Sequence, residues 1–171
     1  VPMVKTAEEA RQAVAACLYP PEGIRGYGPR RLYNLPPMNQ QEFVKFANEE
    51  IIVIAQIEHF EAVNDLEEIL AVPGLTGVVV GPNDLSGSMG MLGQTRHPDV
   101  LQVIETLIAK ARKTNVFCGI AIGHDTDIVA EWFKKGMQWV NAGEDFSLMM
   151  GAAEESAGAI RSRVAATGSS E

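Results

Sequence analysis

The 171 residues predict an α/β protein, a parallel sheet with helices packed over it. Three observations carry that expectation. Four short runs, 51–57, 76–80, 116–122 and 138–142, are apolar throughout instead of alternating, as strands covered on both faces are. The segments between them have helical periodicity and carry residues that start and stop helices. From residue 51 onward strand and helix alternate regularly, the pattern of successive βα units.

The elements follow in order. Val1-Pro2-Met3-Val4 reads as the tail of a strand, so further sequence is expected before Val1. Thr6 with Glu9 forms a capping box that starts a helix over 7–18, and Tyr19-Pro20-Pro21 stops it. Residues 22–38 hold three glycines, Pro29, Pro36, Pro37 and three arginines, and predict a long loop on the surface or over a site. Asn39 with Glu42 opens a second helix to about residue 48. Further helices are expected over 60–71, 98–113, 126–135 and 146–163, with Pro98 at a first helical position, Asp125 and Asp145 as N-caps, and Gly136 as a stop. These elements make one domain over 1–163, followed by a disordered tail over 164–171, rich in small and polar residues.

Composition narrows the function. With 14 basic and 22 acidic residues the formal charge is -8, which disfavours nucleic acid or an anionic membrane as the main partner. No apolar run reaches the roughly 18 residues of a membrane helix, and no basic segment precedes an apolar stretch at the start. Cys17 and Cys118 lack metal-type spacing and read as buried free thiols, which suits a reducing cytoplasm.

The chemistry concentrates at two strand ends. Gln56-Ile57-Glu58 closes the first run, with Gln56 and Glu58 on one face. Gly81-Pro82-Asn83-Asp84-Leu85-Ser86 follows the second. In a parallel α/β protein the carboxyl ends of the strands form the ligand rim, and two carboxylates there suit a hard divalent cation. Either residue alone has a plainer explanation, Glu58 as a charge at a helix start and Asp84 as a turn or cap. Matching positions on consecutive strands favour a site. The tight turn Gly81-Pro82-Asn83 offers the N–H groups of Asn83 and Asp84 to an anionic substrate group.

Other candidates are weaker. His97, before Pro98, reads as a helix cap; His59 faces away from Glu58; His124, at a strand's rim end, is the one histidine placed to reach substrate, and a solvated turn is its plainer explanation. Lys5 is the only lysine placed for a Schiff base, and a solvated lysine at a helix start explains it as well. The glycines of Gly23-Ile24-Arg25-Gly26-Tyr27-Gly28 follow no strand and open no helix, which excludes a dinucleotide fingerprint.

The strings Tyr19-Pro20-Pro21-Glu22-Gly23-Ile24-Arg25-Gly26, Gln56-Ile57-Glu58, Gly81-Pro82-Asn83-Asp84-Leu85-Ser86, Met89-Gly90 and His97-Pro98-Asp99-Val100, in that order, resemble the HpcH/HpaI aldolase family. The resemblance runs from Val1 to about Arg163 and implies the C-terminal part of a (β/α)₈ TIM barrel of the phosphoenolpyruvate/pyruvate superfamily type, entered at the end of the fourth strand. It implies a divalent metal (Mg²⁺, Mn²⁺ or Co²⁺) on Glu58 and Asp84, the pyruvyl group against Gln56, and its carboxylate on the backbone at Asn83 and Asp84. It places the enolate-stabilising arginine and an Asp–His pair for acid–base work before Val1. It implies a homo-oligomer, usually a hexamer. Pro29-Arg30-Arg31 departs from the Ser/Ala-rich stretch of better-known members and leaves the acceptor aldehyde open.

The expected function is therefore metal-dependent, class II retro-aldol cleavage of a 4-hydroxy-2-oxoacid to pyruvate and an aldehyde, with this segment inactive alone if the upstream residues are required. Two alternatives stand beside it, a malyl- or citryl-CoA-type lyase of the same superfamily and a non-catalytic half-barrel interaction module.

Overall fold

A computed structural model describes residues 1–29, 38–123 and 125–168. Thr6 and Glu9 close the expected capping box and start α1, Ala7–Cys17. Asn39 and Glu42 do the same for α2, Gln40–Glu50. β1 covers Ile54–Ile57, shorter than the run 51–57. Ile51 closes α2 by donating its N–H to the Ala47 carbonyl, and the Val53 N–H goes to Thr76 Oγ1, so only the Val53 carbonyl, which accepts the Thr76 and Gly77 N–H groups, meets the β2 backbone ahead of β1.

The single helix expected over 60–71 is a 3₁₀ turn, Phe60–Val63, followed by α3, Leu66–Leu70. Asp65 lies between them, and its carboxylate accepts the Ala7 N–H at 2.6 Å, tying this corner to the first turn of α1. β2 covers Gly77–Val80. The turn expected next is a short helix, α4, Pro82–Ser88, with Pro82 in its first turn, where a missing N–H costs nothing. Then come α5, Pro98–Ala111, β3, Phe117–Ile122, α6, Thr126–Lys135, β4, Trp139–Ala142, and α7, Asp145–Gly168. Asp125 caps α6 and Gly136, at φ 104°, ends it, as expected. Asp145 is the first residue of α7 instead of its cap, because the Glu144 carbonyl takes the opening bond from the Leu148 N–H. Residues 164–168, expected in a disordered tail, continue α7.

The four strands are parallel and neighbours in chain order, β1-β2-β3-β4. That order has no reversal and so no doubly wound switch point; it is the sequence of neighbours found along the wall of a barrel. Register separates two faces. Ile57, Val80, Ile120 and Val140 form one row, and Leu66, Ile69, Ile104 and Leu107 of α3 and α5 belong to the same core. Each fully buried aliphatic side chain contributes about 1.5–3 kcal/mol, so this row anchors the strands. Gln56, Val79, Gly119 and Trp139 form a row on the opposite face, with Ala121 and Asn141 one step further on.

Residues 1–4 run along the free edge of β1. The Gln56 N–H donates to the Val1 carbonyl at 2.8 Å and the Val4 N–H to the Gln56 carbonyl at 3.2 Å. Met3 between them stands at φ 57°, and its N–H turns away from the ladder. Toward the C-terminus, Phe146, Leu148 and Met149 of α7 are exposed. No helix among the described residues is long and apolar enough to cross a membrane.

Candidate active site at the strand ends

The strand ends carry a cleft of about 270 Å³ on the Gln56 face of the sheet. Gln56 comes from β1, Gly81 to Asp84 follow β2, Ala121 to Gly123 close β3, and Asn141, Gly143, Glu144 and Ser147 follow β4. Alternation puts Gln56, Ala121 and Asn141 on this face, and the βα connections bring in the rest.

Gln56, Asn83 and Asp84 thus line one cleft. Glu58 does not form its wall. It lies behind Gln56 and Gly81, only 3% exposed, with both carboxylate oxygens held. Oε1 accepts the Met3 N–H at 2.8 Å, and Oε2 accepts the Gln56 Nε2 hydrogen at 2.6 Å. A buried carboxylate needs such donors, and each oxygen keeps lone-pair capacity for a further partner. The Gln56 amide likewise has a second N–H.

Asp84 is exposed in the first turn of α4. The first intrahelical bond runs from the Leu85 N–H to the Gly81 carbonyl at 3.0 Å, so the N–H groups of Asn83 and Asp84 precede the helical ladder. The buried Ser86 hydroxyl donates to the Asn83 carbonyl at 2.8 Å and holds this turn. Among the described residues no cluster of three or more His, Cys, Asp or Glu side chains is arranged for a metal. The oxygen donors of Glu58 and Asp84 are nevertheless of the type that suits a hard divalent cation.

The other candidates take structural places. His97 Nδ1 accepts the Asp99 N–H at the start of α5, and His59 Nδ1 accepts the Glu61 N–H. His124 lies outside the described residues. Lys5 Nζ sits 3.4 Å from Glu61 and is absent from the cleft wall. Cys118 is buried in β3, which pushes its thiol up to about 12.

Sequence reasoning missed the wall from β4 and α7. A polar Asn141 closing an otherwise apolar strand was the available signal. It also missed a second cleft, of about 220 Å³, that adjoins the first along Pro82, Asn83 and residues 121–123. Thr95, Arg96, Asp125, Ile128 and Trp132 complete its lining. Arg96 Nη2 meets Glu131 Oε2 at 3.0 Å, and Glu131 Oε1 meets Lys135 Nζ at 3.4 Å. The Arg96 bond is the main reason the Glu131 carboxyl lies below its ordinary value.

The profile of the HpcH/HpaI aldolase/citrate lyase family matches residues 1–152. The chain is 40% identical over 155 residues to a 4-hydroxy-2-oxo-heptane-1,7-dioate aldolase of Escherichia coli, covering 90% of this chain and 58% of that protein. It therefore spans less than two thirds of the length of the curated relatives it matches. Among solved structures it resembles an HpcH/HpaI aldolase from Desulfitobacterium hafniense DCB-2, with 36% identity, a TM-score of 0.79, and 91% of this chain and 60% of that one covered. The citrate synthase SbnG matches with 27% identity and a TM-score of 0.79, over 95% of this chain and 62% of its own. The sheet is accordingly a portion of a TIM-barrel-type fold. By profile, by sequence and by fold, the chain belongs to the HpcH/HpaI aldolase/citrate lyase family.

Proposed function

We propose that this chain is the C-terminal portion of a metal-dependent pyruvate aldolase, which cleaves a 4-hydroxy-2-oxoacid reversibly to pyruvate and an aldehyde. The observation that carries the reading is the joint placement of Gln56, Asn83 and Asp84 in one cleft, with the Glu58 carboxylate fixed behind them by Gln56. The 40% identity to curated aldolases supports it.

Glu58 and Asp84 would hold a Mg²⁺, Mn²⁺ or Co²⁺ ion, which supplies Lewis-acid stabilisation of developing enolate charge. Gln56 orients the Glu58 carboxylate through one amide hydrogen, and its second N–H is free to bind the pyruvyl group. The N–H groups of Asn83 and Asp84 take the pyruvate carboxylate. Buried Ser86 keeps their peptide oriented, so little ordering remains to be done when substrate arrives. Proton transfer and the enolate-binding arginine are assigned to residues outside this chain, as the resemblance implies. The reading includes a homo-oligomeric, cytoplasmic enzyme, a hexamer by resemblance.

The likeness to SbnG keeps a citrate synthase or CoA-type lyase of the same family as the second reading, and a requirement for a CoA thioester would single it out. The decisive measurement is exchange of the C3 protons of pyruvate in the intact natural protein with added Mn²⁺. Wild type should exchange them, and Glu58→Gln and Asp84→Asn should each lose the metal-stimulated exchange. Retention of normal metal affinity and exchange in both variants would remove the proposal. Borohydride with pyruvate should leave the protein mass unchanged, since no Schiff base on Lys5 is invoked.

A further inference from the structure

We infer that Ser88 is a positioning residue for the two carboxylates: its hydroxyl ties α4, which carries Asp84, to the connection that follows Glu58. This assignment rests on the reading of Glu58 and Asp84 as metal ligands. The two side chains come from different βα units, whereas a small divalent cation demands near-ideal placement of its oxygen ligands, at about 2.0–2.1 Å for Mg²⁺. A site that binds such an ion well has that spacing set in advance by supporting hydrogen bonds.

The sheet does not set it. The register of β1 and β2 ends at Ile57 and Val80, and the last backbone bond between the two units runs from the Gly81 N–H to the Ile57 carbonyl at 3.3 Å. Glu58 and Asp84 both lie beyond that rung. The bonds already described act within one unit or from elsewhere: Gln56 and Met3 hold Glu58, and Ser86 holds the Asn83 peptide. Past the rung, one hydrogen bond joins the two connections among the described residues, from the Phe60 N–H to Ser88 Oγ at 2.9 Å. The Ser88 hydroxyl in turn donates to the Leu85 carbonyl at 2.7 Å. Leu85, next to Asp84, is fully buried and fixes α4 in the core. The Phe60 N–H opens the 3₁₀ turn and has no carbonyl partner within it, so the hydroxyl also satisfies an orphan donor. A hydroxyl can accept and donate at once, which is what this bridge requires.

The test measures Mn²⁺ binding to the intact natural protein by electron paramagnetic resonance, with urea unfolding alongside. Ser88→Ala should raise the Mn²⁺ Kd by about tenfold, the lower end of what a lost supporting bond costs a metal site. Ser88→Thr, which keeps the hydroxyl, should recover most of it. Phe60→Pro removes the same bond from its other end. Residue 60 is the first of its turn and His59 before it is extended, so proline fits there. It should raise the Kd equally, and Phe60→Ala, which keeps the N–H, should not. Thr106→Ala deletes a comparable hydroxyl bond, to the Gln102 carbonyl on α5, and should leave the Kd unchanged. A merely structural hydroxyl would lower the urea midpoint without moving the Kd, and that result overturns the assignment. Poor folding of Ser88→Ala leaves Phe60→Pro to decide. Glu58→Gln and Asp84→Asn separate the two readings. If neither weakens Mn²⁺ binding, the metal reading falls and this assignment with it; if both do while Ser88→Ala and Phe60→Pro do not, this assignment alone falls.

Discussion

Gly81 stands directly against Glu58: a Cβ added to it would lie 2.6 Å from Glu58 Oε2 and 2.9 Å from Gln56 Nε2. Its φ of -101° is one that any residue adopts, so the glycine is required by space and not by backbone conformation. Gly81→Ala should therefore displace the Gln56–Glu58 pair and destabilise the chain by about 1–3 kcal/mol. Gly26→Ala, with nothing within 4 Å of the new carbon, is the control. Urea unfolding of both variants checks this, and equal midpoints would contradict the packing described.

Met3 gives the opposite case, a non-glycine residue at φ 57° whose N–H serves Glu58 Oε1. Met3→Gly should be tolerated, whereas Met3→Val should cost about 1–2 kcal/mol because a β-branched residue resists the left-handed region. Met3→Pro should cost more, since it also removes the donor from a buried carboxylate. The order Gly, Val, Pro in thermal unfolding is the expected result, and indifference to all three would refute the role given to the Met3 backbone.

Cys118 should be inert in the native state. Burial raises its thiol from an ordinary 9.0 to about 12, so at pH 8 it is neither exposed nor ionised, while Cys17 is only partly buried. A thiol reagent should label Cys17 first and Cys118 only after denaturant is added. The linkage has a definite sign. Between pH 9 and about 12 the unfolded chain loses this proton and the folded chain retains it, so stability should fall as pH rises through that window. Cys118→Ala should flatten that part of the curve.

The capping box at α1 should contribute about 1 kcal/mol, because Thr6 Oγ1 accepts the Glu9 N–H at 3.2 Å and Glu9 Oε2 returns a bond to the Thr6 N–H. Thr6→Ala should lower the unfolding midpoint, and Thr6→Ser should restore it. A midpoint unmoved by alanine would mean that tertiary contacts, such as the Asp65 bond to Ala7, hold this helix start unaided.

The parallel, helix-covered sheet was legible because its strands are apolar on both faces and its helices carry local start and stop signals. Thr6, Asn39, Pro98, Asp125 and Gly136 act within three or four residues of themselves, which is the range sequence pattern reports. The short helix α4 was missed because Gly81-Pro82-Asn83 also fits a tight turn, although Pro82 begins it by the same rule as Pro98. Gln56, Asn83 and Asp84 were legible as residues of one rim from their places after consecutive strands. The position of Glu58 behind that rim was not, since it depends on Met3, 55 residues away, and on the missing side chain of Gly81. Arg96 and Trp132 were invisible as neighbours for the same reason, being joined by tertiary packing alone.

The unreversed strand order has a consequence for how the chain comes to its fold. Ile54 pairs with Gly77, Gly77 with Phe117, and Gly119 with Trp139, so each new strand docks on the one before it and needs nothing made later. The loops to be closed are short for a parallel sheet, which lowers the entropic barrier that slows such sheets. Assembly can then proceed by accretion during synthesis, each βα unit adding to the growing edge while the next is still emerging from the ribosome.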